Sequence, residues 1–292
     1  MNKILNELRS LASRAGNKRT YTGIPRVAMV QGPIPKHQLA AVYDPMLNLI
    51  LTGNKTMTVG DTVYHYDPVT YFVMSVDLPA VGEVHPSAEG APYLAVSLTL
   101  DPKRIASLIV DLPKSADDEH DSSGFSVAPV TNELLDAWVR LLRLMDKPEE
   151  IAALAPVYER EILFRVLQGP LGWMLRDIAT PDAKLARIGV TIHWLRQHFN
   201  KAVRVEELAQ MVSLSVSAFH RHFKAVTALS PLQYQKRVRL LNARSSLLAG
   251  EGNATSVALA VGYESPNQFS REYTRFFGLP PSKDIPILRE NM

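Results

Sequence analysis

The feature that most constrains this chain is a pattern that occurs twice within its last third. One copy, VEELAQMVSLSVSAFHRHF, begins at Val205, and the other, VALAVGYESPNQFSREYTRFFG, begins at Val257. Each has a helix of small residues, a tight turn, a serine suited to cap the next helix, and a helix with aromatic residues four positions apart. This order predicts two helix-turn-helix motifs in tandem. With an offset of 50 positions the equivalent pairs are Ser215 and Ser265, Phe219 and Phe269, Arg221 and Arg271, Phe223 and Tyr273.

The second helix of the first copy is predicted to present a polar face to solvent. Phe219 and Phe223 share the face directed at the core because they lie four residues apart. The opposite face suits a major groove, since arginine pairs with guanine O6 and N7 while serine, histidine and lysine reach bases or phosphates. The residues predicted to contact DNA from this copy are Ser215, Ser217, His220, Arg221 and Lys224.

The second copy carries the same signals with different chemistry on its exposed face. Ser265 is placed to cap the helix, and Pro266 stands at the first helical position, where a missing N–H has no consequence. Carboxamides follow, and asparagine and glutamine are the bidentate partners of adenine. One chain is therefore expected to read two unlike base sequences. The residues predicted to contact DNA from this copy are Pro266, Asn267, Gln268, Ser270 and Arg271.

A continuous helix is predicted between the two copies, over residues 231–248, and it ends at Gly250. At 1.5 Å per residue it spans roughly 27 Å, comparable to the ~34 Å between successive major-groove faces on one side of B-DNA. Such a connector can hold two recognition helices about one turn of DNA apart. Lys236 and Arg237 near its start are predicted to contact phosphates.

The distribution of charge favours a polyanionic partner for the last third alone. Residues 1–183 have a formal net charge of −5, whereas residues 184–292 have one of +8. The absence of cysteine excludes a disulfide scaffold and thiolate metal sites, and it fits a reducing interior. The sequence shows neither a run of about 18 apolar residues nor a secretory signal. A cytoplasmic protein without a membrane partner is expected.

Residues 24–110 have the pattern of short antiparallel strands. They are rich in Val, Leu, Tyr and Thr and are interrupted by turn residues, as in a barrel or sandwich. Hairpins are predicted between residues 47–51 and 55–59, around Gly53-Asn54, and again around Gly60-Asp61. The expected fold class is α+β. Residues 1–182 are predicted to form an antiparallel β-barrel with flanking helices, and residues 183–292 an all-α domain.

Residues 188–285 resemble the DNA-binding domain of AraC/XylS-type transcription regulators. The ending departs from that family's Pro-x-x-Tyr-Arg, because Ser-Lys-Asp-Ile follows Pro281. The β-rich part resembles the cupin-like regulatory domain of the same family, in which the barrel binds a small molecule and adjoining helices dimerise. The residues that carry the resemblance are Ala209, Ser215, Phe219, Arg221, Phe223, Arg239, Leu240, Ala243, Ala258, Gly262, Tyr263, Ser265, Phe269, Arg271, Phe276, Phe277, Gly278, Pro280 and Pro281.

The resemblance implies a sequence-specific regulator of transcription that is controlled by a small-molecule effector in the barrel. It also implies promoter DNA and RNA polymerase as partners, a homodimer, and no cofactor. An aromatic cluster offers the mixture of apolar wall and polar anchor that ligand sites use. The residues predicted to line the effector site are Tyr64, Tyr66, Tyr71 and Tyr93.

Two other functions stay open for the first domain, a cupin-type enzyme of small molecules and a ligand-free dimerisation domain. A metal cupin needs clustered ligands, whereas His37, His65 and His85 are scattered singly. The chain also lacks the Gly-x-Ser-x-Gly elbow of a serine hydrolase. No catalytic or metal-binding residue is therefore predicted, and an enzyme is not expected.

An apolar stripe on the helix predicted over residues 132–146 has two interpretations. Its members recur at helical spacing, so they form either packed core or the seam of a dimer. A dimer is reasonable because paired half-sites on DNA favour two-fold symmetric proteins. The stripe consists of Leu134, Leu135, Trp138, Leu141, Leu142 and Met145.

Overall fold

A computed structural model of the chain describes residues 2–16, 19–34, 39–112, 123–181 and 183–290. Within these ranges the first part of the chain forms antiparallel β-sheets with helices packed on them, and the remainder is helical. The predicted α+β class is therefore confirmed. No helix in the described ranges is both long and apolar enough to cross a lipid bilayer.

The strands of the described ranges pair into two separate antiparallel sheets, with orders β1-β2-β9-β4-β7-β10 and β3-β8-β5-β6. Residues of both sheets contribute to one apolar layer, so the sheets pack face to face. The described strands therefore form two separate sheets, and not the barrel with continuous strand pairing that the sequence predicted. The strands are β1 (Thr20–Tyr21), β2 (Val27–Gln31), β3 (Ala40–Tyr43), β4 (Met46–Thr52), β5 (Asn54–Val59), β6 (Thr62–Tyr66), β7 (Thr70–Met74), β8 (Leu78–His85), β9 (Leu94–Thr99) and β10 (Phe125–Pro129).

The hairpin predicted around Gly53-Asn54 is wrong. Strand β4 pairs with β7 and β9, whereas β5 pairs with β6 and β8, so the chain passes here from one sheet to the other. A turn signal is the same for both connections, because it describes only the local backbone. Gly53 has φ +70°, and a Cβ there would lie 2.3 Å from the backbone oxygen of His85. The hairpin at Gly60-Asp61 is confirmed, with Val59 paired to Thr62.

In the described ranges five α-helices accompany the sheets, and their buried residues share one core with the face of the six-stranded sheet that is turned away from the four-stranded sheet. The predicted stripe lies on α3, where Trp138 is fully buried. Met145 is partly buried against the same core. The stripe is therefore core packing within one chain and cannot serve as a dimer seam. These helices are α1 (Asn2–Ala12), α2 (Pro102–Ile109), α3 (Asn132–Arg143), α4 (Ile151–Leu167) and α5 (Gly172–Ala179).

The last third of the chain folds into helices, as predicted. Two helix-turn-helix motifs form in the described ranges. The first motif consists of α7 (Val205–Met211) and α8 (Val216–Thr227), the second motif of α10 (Ala254–Ala260) and α11 (Pro266–Phe277), and α9 (Pro231–Ala249) lies between them. The predicted connector is confirmed as α9, which ends at Gly250 with φ +75°. These helices are α6 (Lys184–Gln197), α7 (Val205–Met211), α8 (Val216–Thr227), α9 (Pro231–Ala249), α10 (Ala254–Ala260), α11 (Pro266–Phe277) and α12 (Pro281–Glu290).

The two motifs differ in what they pack against. The aromatic residues of the first motif, Phe219 and Phe223, belong to a core that includes Met57 and Phe72 from the sheets. The second motif has a smaller core of its own, built from α9, α10, α11 and α12 around Phe269. The first motif is thus joined to the β-sheets by continuous apolar packing, and the second is attached through α9.

Candidate nucleic-acid interface and internal cavity

Helix α8 of the first motif presents a polar face beside a buried aromatic pair. Ser215 has extended backbone geometry, and its Oγ accepts a hydrogen bond from the amide of Ala218 at 3.3 Å, which caps the helix as predicted. Phe219 and Phe223 are 0% exposed, with ring centroids 5.5 Å apart. The predicted contact residues Ser217, Arg221 and Lys224 are exposed, and His220 is half-buried beside them.

The surroundings of α8 are electropositive. The pKa of His222 is lowered, first by partial burial and then by the neighbouring cations Lys184, Arg221 and Arg187. Arg187 also donates to the backbone oxygens of Val212 and Ser213 in the turn of the first motif. Sequence reasoning missed Arg187, because its partners lie on another element of the fold.

Helix α11 of the second motif repeats this geometry. The Oγ of Ser265 accepts from the amide of Gln268 at 3.4 Å, and Pro266 occupies the first turn. Phe269 and Tyr273 are buried with 0% exposure, their ring centroids 5.5 Å apart. The predicted contact residues Asn267, Gln268 and Arg271 are exposed, and Pro266 and Ser270 are half-buried.

The turn of the second motif depends on close backbone packing. Gly262 has φ +92°, and a Cβ there would lie 2.2 Å from the backbone oxygen of Asn200. Arg239 of α9 holds this region together by donating to the backbone oxygens of Phe199 at 2.6 Å, Lys201 at 2.9 Å and Gly262 at 2.8 Å. The connector therefore positions the second motif through hydrogen bonds as well as through its length.

The two cations predicted to contact phosphates are engaged by acceptors of this chain. Lys236 Nζ lies 2.8 Å from Glu272 Oε1 in the second motif. Arg237 Nη2 donates to the backbone oxygen of Gly60 at 3.1 Å and lies 3.8 Å from an oxygen of Asp61, in the turn between β5 and β6. Burial lowers the pKa of Arg237. Arg237 thus connects α9 to the four-stranded sheet.

A second polar contact between the β-sheets and the helical unit surrounds Asp77. Arg196 of α6 forms ion pairs with Asp44 and with Asp77, the latter at 2.6 Å. Tyr234 Oη of α9 donates to the backbone oxygen of Asp77 at 2.9 Å. Burial raises the pKa of Asp77, and the charge of Arg196 opposes this effect. These groups and the shared apolar core hold the first motif against the sheets.

The second motif has a buried polar anchor that sequence reasoning missed. Arg244 of α9 forms a two-bond ion pair with Asp284 of α12, at 2.9 and 2.8 Å, and lies over the ring of Phe277. Tyr273 Oη donates to the same carboxylate at 2.6 Å. Asp284 belongs to the Ser-Lys-Asp-Ile segment that departs from the family ending. This departure supplies the partner of Arg244.

A cavity of about 230 Å³ lies between the two sheets, lined by residues of β2, β4 and β9 on one side and of β3, β5 and β8 on the other. Among the predicted effector residues, Tyr93 lines it. Tyr64 and Tyr66 pack on Phe125, and Tyr71 lies in the core under the helices, where burial raises its pKa to about 12. The cavity is lined by Arg19, Met29, Val30, Ile34, Leu39, Ala41, Val42, Tyr43, Asp44, Met46, Asn48, Lys55, Val84, Tyr93, Ala95 and Ser97.

Lys55 and Asn48 are cavity residues that sequence reasoning missed. The inward alternation of β5 places Lys55 on the same face as Met57 and Val59, so a strand-period count would have found it. Asn48 interrupts the apolar run of β4 and is 7% exposed. In the described ranges, no three His, Asp or Glu side chains are arranged to hold a metal ion. His37 lies outside those ranges.

Two family models match the chain. Residues 23–174 match the AraC-type transcriptional regulator N-terminus, and residues 208–284 match a helix-turn-helix domain. The HTH-type transcriptional activator RhaS of Escherichia fergusonii is 35% identical over 144 residues, 48% of this chain and 51% of the relative. RhaS of Escherichia coli O1:K1 / APEC is 30% identical over 184 residues, 62% and 63% of the two chains. The chain thus spans about half to just under two thirds of these relatives.

Solved structures of ToxT from Vibrio cholerae have a similar fold. The unsaturated fatty acid bound wild-type protein of strain SCE256 has a TM-score of 0.57 at 11% identity, covering 89% of this chain and 94% of ToxT. The O395 protein bound to (E)-4-(8-methylnaphthalen-1-yl)but-3-enoic acid has a TM-score of 0.57 at 10% identity, covering 90% and 99%. The first family model spans more than half of the chain. With two helix-turn-helix motifs behind this N-terminal domain, the chain belongs to the family of AraC-type transcriptional regulators.

Proposed function

We propose that the protein is a sequence-specific DNA-binding regulator of transcription whose N-terminal cavity binds a small-molecule effector. The observation that carries the proposal is the pair of capped helices, α8 and α11, each with a buried aromatic pair and an exposed polar face. Such a helix enters a major groove with its polar side chains against base edges. The relatives named above are transcriptional activators, which supports a regulator and not an enzyme.

Each recognition helix is proposed to read its own bases. Arg221 and Arg271 occupy equivalent exposed positions and can pair with guanine. The neighbouring groups differ, since Ser217 and His220 accompany the first arginine and Asn267 the second. The site within one protomer is therefore asymmetric. The wider set of proposed DNA contacts is Ser215, Ser217, His220, Arg221, Lys224, Lys236, Arg237, Pro266, Asn267, Gln268, Ser270 and Arg271.

Substitution of the two arginines tests this reading. We expect Arg221→Ala and Arg271→Ala each to weaken binding by about 1–3 kcal/mol and to relax base preference at different positions of the site. The measurement is gel-shift affinity and footprinting on duplexes that the wild-type protein selects from a random pool. Arg160→Ala, on the exposed side of α4, is the control and should bind normally. Unchanged affinity and footprint in both variants would reject the assignment of the recognition helices.

Lys236 and Arg237 are proposed to contact phosphates, which lie alongside the recognised bases. Phosphate contact by Arg237 competes with its hydrogen bond to Gly60, so DNA binding and contact with the β-sheets are linked at this residue. Loss of a phosphate contact lowers affinity on all sequences and reduces the salt slope by about 1. A loss confined to one base in Arg237→Ala would contradict this role.

The cavity is proposed to bind an effector because one residue of its wall forms an ion pair with a helix of the last third of the chain, so that a bound ligand can affect the DNA-binding helices. Asp44 lines the cavity and pairs with Arg196 of α6. A ligand that moves Asp44 therefore acts on an element packed against the first motif. Thermal-shift measurements of the full chain with metabolites test this role. If no metabolite shifts the melting temperature, a ligand-free dimerisation domain becomes the better description of the first part.

A homodimer on promoter DNA, with RNA polymerase as a further partner, completes the proposal. Support comes from the general use of paired half-sites by helix-turn-helix proteins. The apolar stripe of α3 does not provide the interface, because it is buried within the chain. Sedimentation of the full chain with and without a selected duplex measures the stoichiometry.

A further inference from the structure

As far as the described part of the chain shows, the cavity contains a buried cation, Lys55, without an anionic partner. Lys55 is 6% exposed, and within the described ranges its ammonium group has neither an ion pair nor a hydrogen bond, so burial alone shifts its pKa. Its contacts are the faces of two aromatic rings, Tyr43 at 5.2 Å and Phe72 at 5.8 Å. These cation–π contacts compensate only part of the lost hydration of a charged amine.

Two further polar atoms of the cavity wall are buried without a partner in the described ranges. They are Tyr93 Oη, on a residue that is 2% exposed, and Asn48 Oδ1, on a residue that is 7% exposed. Native proteins rarely leave such atoms unsatisfied, so each requires an explanation. Three polar groups on a common cavity surface are explained together if a ligand binds among them.

Tyr43 lies beside both Lys55 and Tyr93 in the cavity wall. A Cβ on Gly82 would lie 3.1 Å from both Lys55 Cε and Tyr43 Oη, so the lysine stem and this hydroxyl converge on the glycine. The pKa of Tyr93 is raised by burial and further by the neighbouring Tyr43. Tyr43 itself donates to the backbone oxygen of Leu39 at 2.8 Å. Of the two tyrosines that line the cavity, Tyr93 is therefore the one whose hydroxyl can donate to a ligand.

The charge balance of the wall favours an anion. Among the described residues, the charged groups lining the cavity are Arg19, Asp44 and Lys55, and the negative one is paired with Arg196. Burial lowers the pKa of Lys55 to about 8, so the amine is mostly protonated at neutral pH. Apolar side chains such as Met29, Ile34 and Ala95 form the remaining surface.

We propose that this cavity binds a small organic acid, whose carboxylate pairs with the Lys55 ammonium and accepts a hydrogen bond from Tyr93 Oη while its apolar body contacts the surrounding walls. This inference rests on the effector role proposed above and specifies its chemistry. A volume near 230 Å³ suits a compact monocarboxylate better than a drug-sized ligand. Asn48 can offer its oxygen or its amide to a further polar group of the acid.

Matched anionic and neutral probes test the proposal on the full chain. Calorimetry and thermal shift compare benzoate and hexanoate with benzamide and hexanamide, which have the same shape without the charge. We expect at least one carboxylate to bind about tenfold or more tightly than its amide, because a hydrogen bond to a buried charged group contributes about a factor of ten or more. Equal affinity for an acid and its amide would overturn the proposal. So would the absence of binding of both acids at about 10 mM, which is on the order of the weakest affinity of interest.

Two variants locate the interaction. Lys55→Met retains the length of the stem and removes the charge, and we expect it to reduce carboxylate affinity at least about tenfold. Tyr93→Phe removes a hydroxyl that has no partner in the described ranges, so it should leave the melting temperature of the free protein unchanged and weaken carboxylate binding several-fold. Lys103→Met, an exposed lysine on α2, is the control. Carboxylate binding that survives both cavity variants would place the acid elsewhere.

The same preparations distinguish this inference from the proposed function. Each variant is also tested for binding to a duplex selected by the wild-type protein. Normal duplex binding with no preference for acids removes the anion site and leaves the regulator intact. If the wild-type protein selects no duplex from the random pool, the proposed function is rejected, whatever the cavity binds.

Discussion

The two helix-turn-helix motifs follow the same sequence pattern and have different structural support. The first motif packs into the core of the β-sheets, and the helices that flank it, α6 and α9, add polar contacts to the sheets through Arg196, Tyr234 and Arg237. The second motif has its own core and its own buried ion pair between Arg244 and Asp284. In the described ranges the core of the first motif includes residues of the sheets that hold the cavity, whereas the core of the second motif includes none. The sequence pattern is therefore duplicated along this chain, while apolar packing on the sheets is not.

The largest effect is expected from the anchor of the second motif. Asp284→Ala leaves Arg244 buried and unpaired, because the side chains of Arg244 and Asp284 are only 11% and 5% exposed. We expect the free energy of unfolding to fall by about 3–5 kcal/mol. Because the two motifs have separate cores, we expect hydrogen exchange to accelerate in α10–α12 and not in α8. The measurement is exchange mass spectrometry with thermal unfolding.

An exposed ion pair provides the control for this substitution. Asp146→Asn breaks the pair with Arg14 at the surface, and it should leave exchange in both motifs unchanged. Equal acceleration in α8 and α11 of Asp284→Ala would show that the two motifs unfold as one unit, which contradicts the comparison.

A smaller effect is expected from the contact between the first motif and the sheets. Gly60 has φ +64°, and a Cβ there would lie 2.7 Å from the backbone oxygen of Ala228 at the end of α8. Gly60→Ala should therefore lower the free energy of unfolding by about 1–2 kcal/mol, because alanine disfavours this backbone conformation. A further loss should follow because the added Cβ pushes the end of α8 away from the turn. We expect faster exchange at the end of α8 and no change in α11.

Gly90 allows the two costs to be separated. It has φ +79° with nothing within 4 Å of a built Cβ, so Gly90→Ala carries the conformational cost alone. The difference in melting temperature between the two variants measures the contact. If Gly60→Ala and Gly90→Ala are equally stable, the contact between α8 and the turn contributes nothing.

A pair of tyrosine substitutions compares the polar contacts of the two motifs directly. Tyr273→Phe removes a hydrogen bond to the charged Asp284, worth about 1.5–3 kcal/mol, whereas Tyr234→Phe removes one to the backbone oxygen of Asp77, worth about 1 kcal/mol. Chemical denaturation of the full chain measures both. A larger loss for Tyr234→Phe would reverse the proposed order of the two anchors.

Local features of the fold could be predicted because their signals act within a few residues. The caps Ser215 and Ser265, the connector helix and the turn at Gly60-Asp61 all occur as expected. The connection at Gly53 was mispredicted because a turn signal does not state which strands pair across it. The stripe on α3 could not be assigned, since periodicity identifies a buried face without naming its partner.

The local parts of the candidate site could be predicted from the sequence, and its long-range contacts could not. The exposed faces of α8 and α11 follow from the spacing of their aromatic residues, so the proposed DNA contacts required no tertiary information except at α9. Arg237 binds the backbone of Gly60, 177 positions away in sequence. Three of the four predicted effector tyrosines lie outside the cavity wall. Strand alternation turns Tyr71 to the helix-covered face of its sheet, whereas Tyr64 and Tyr66 face the core between the sheets and pack on Phe125 instead of lining the cavity.

The sequence by itself determined two capped recognition helices, their different polar groups and the length of the helix between them. These properties are local, since capping, helical periodicity and chain length involve neighbouring residues only. The tertiary structure decided that Lys55 and Tyr93 share one cavity, that Asp284 anchors the second motif, and that the first motif packs on the β-sheets. These contacts join residues far apart in the chain, and they arise from the way in which apolar faces and buried charges find partners when the whole chain packs.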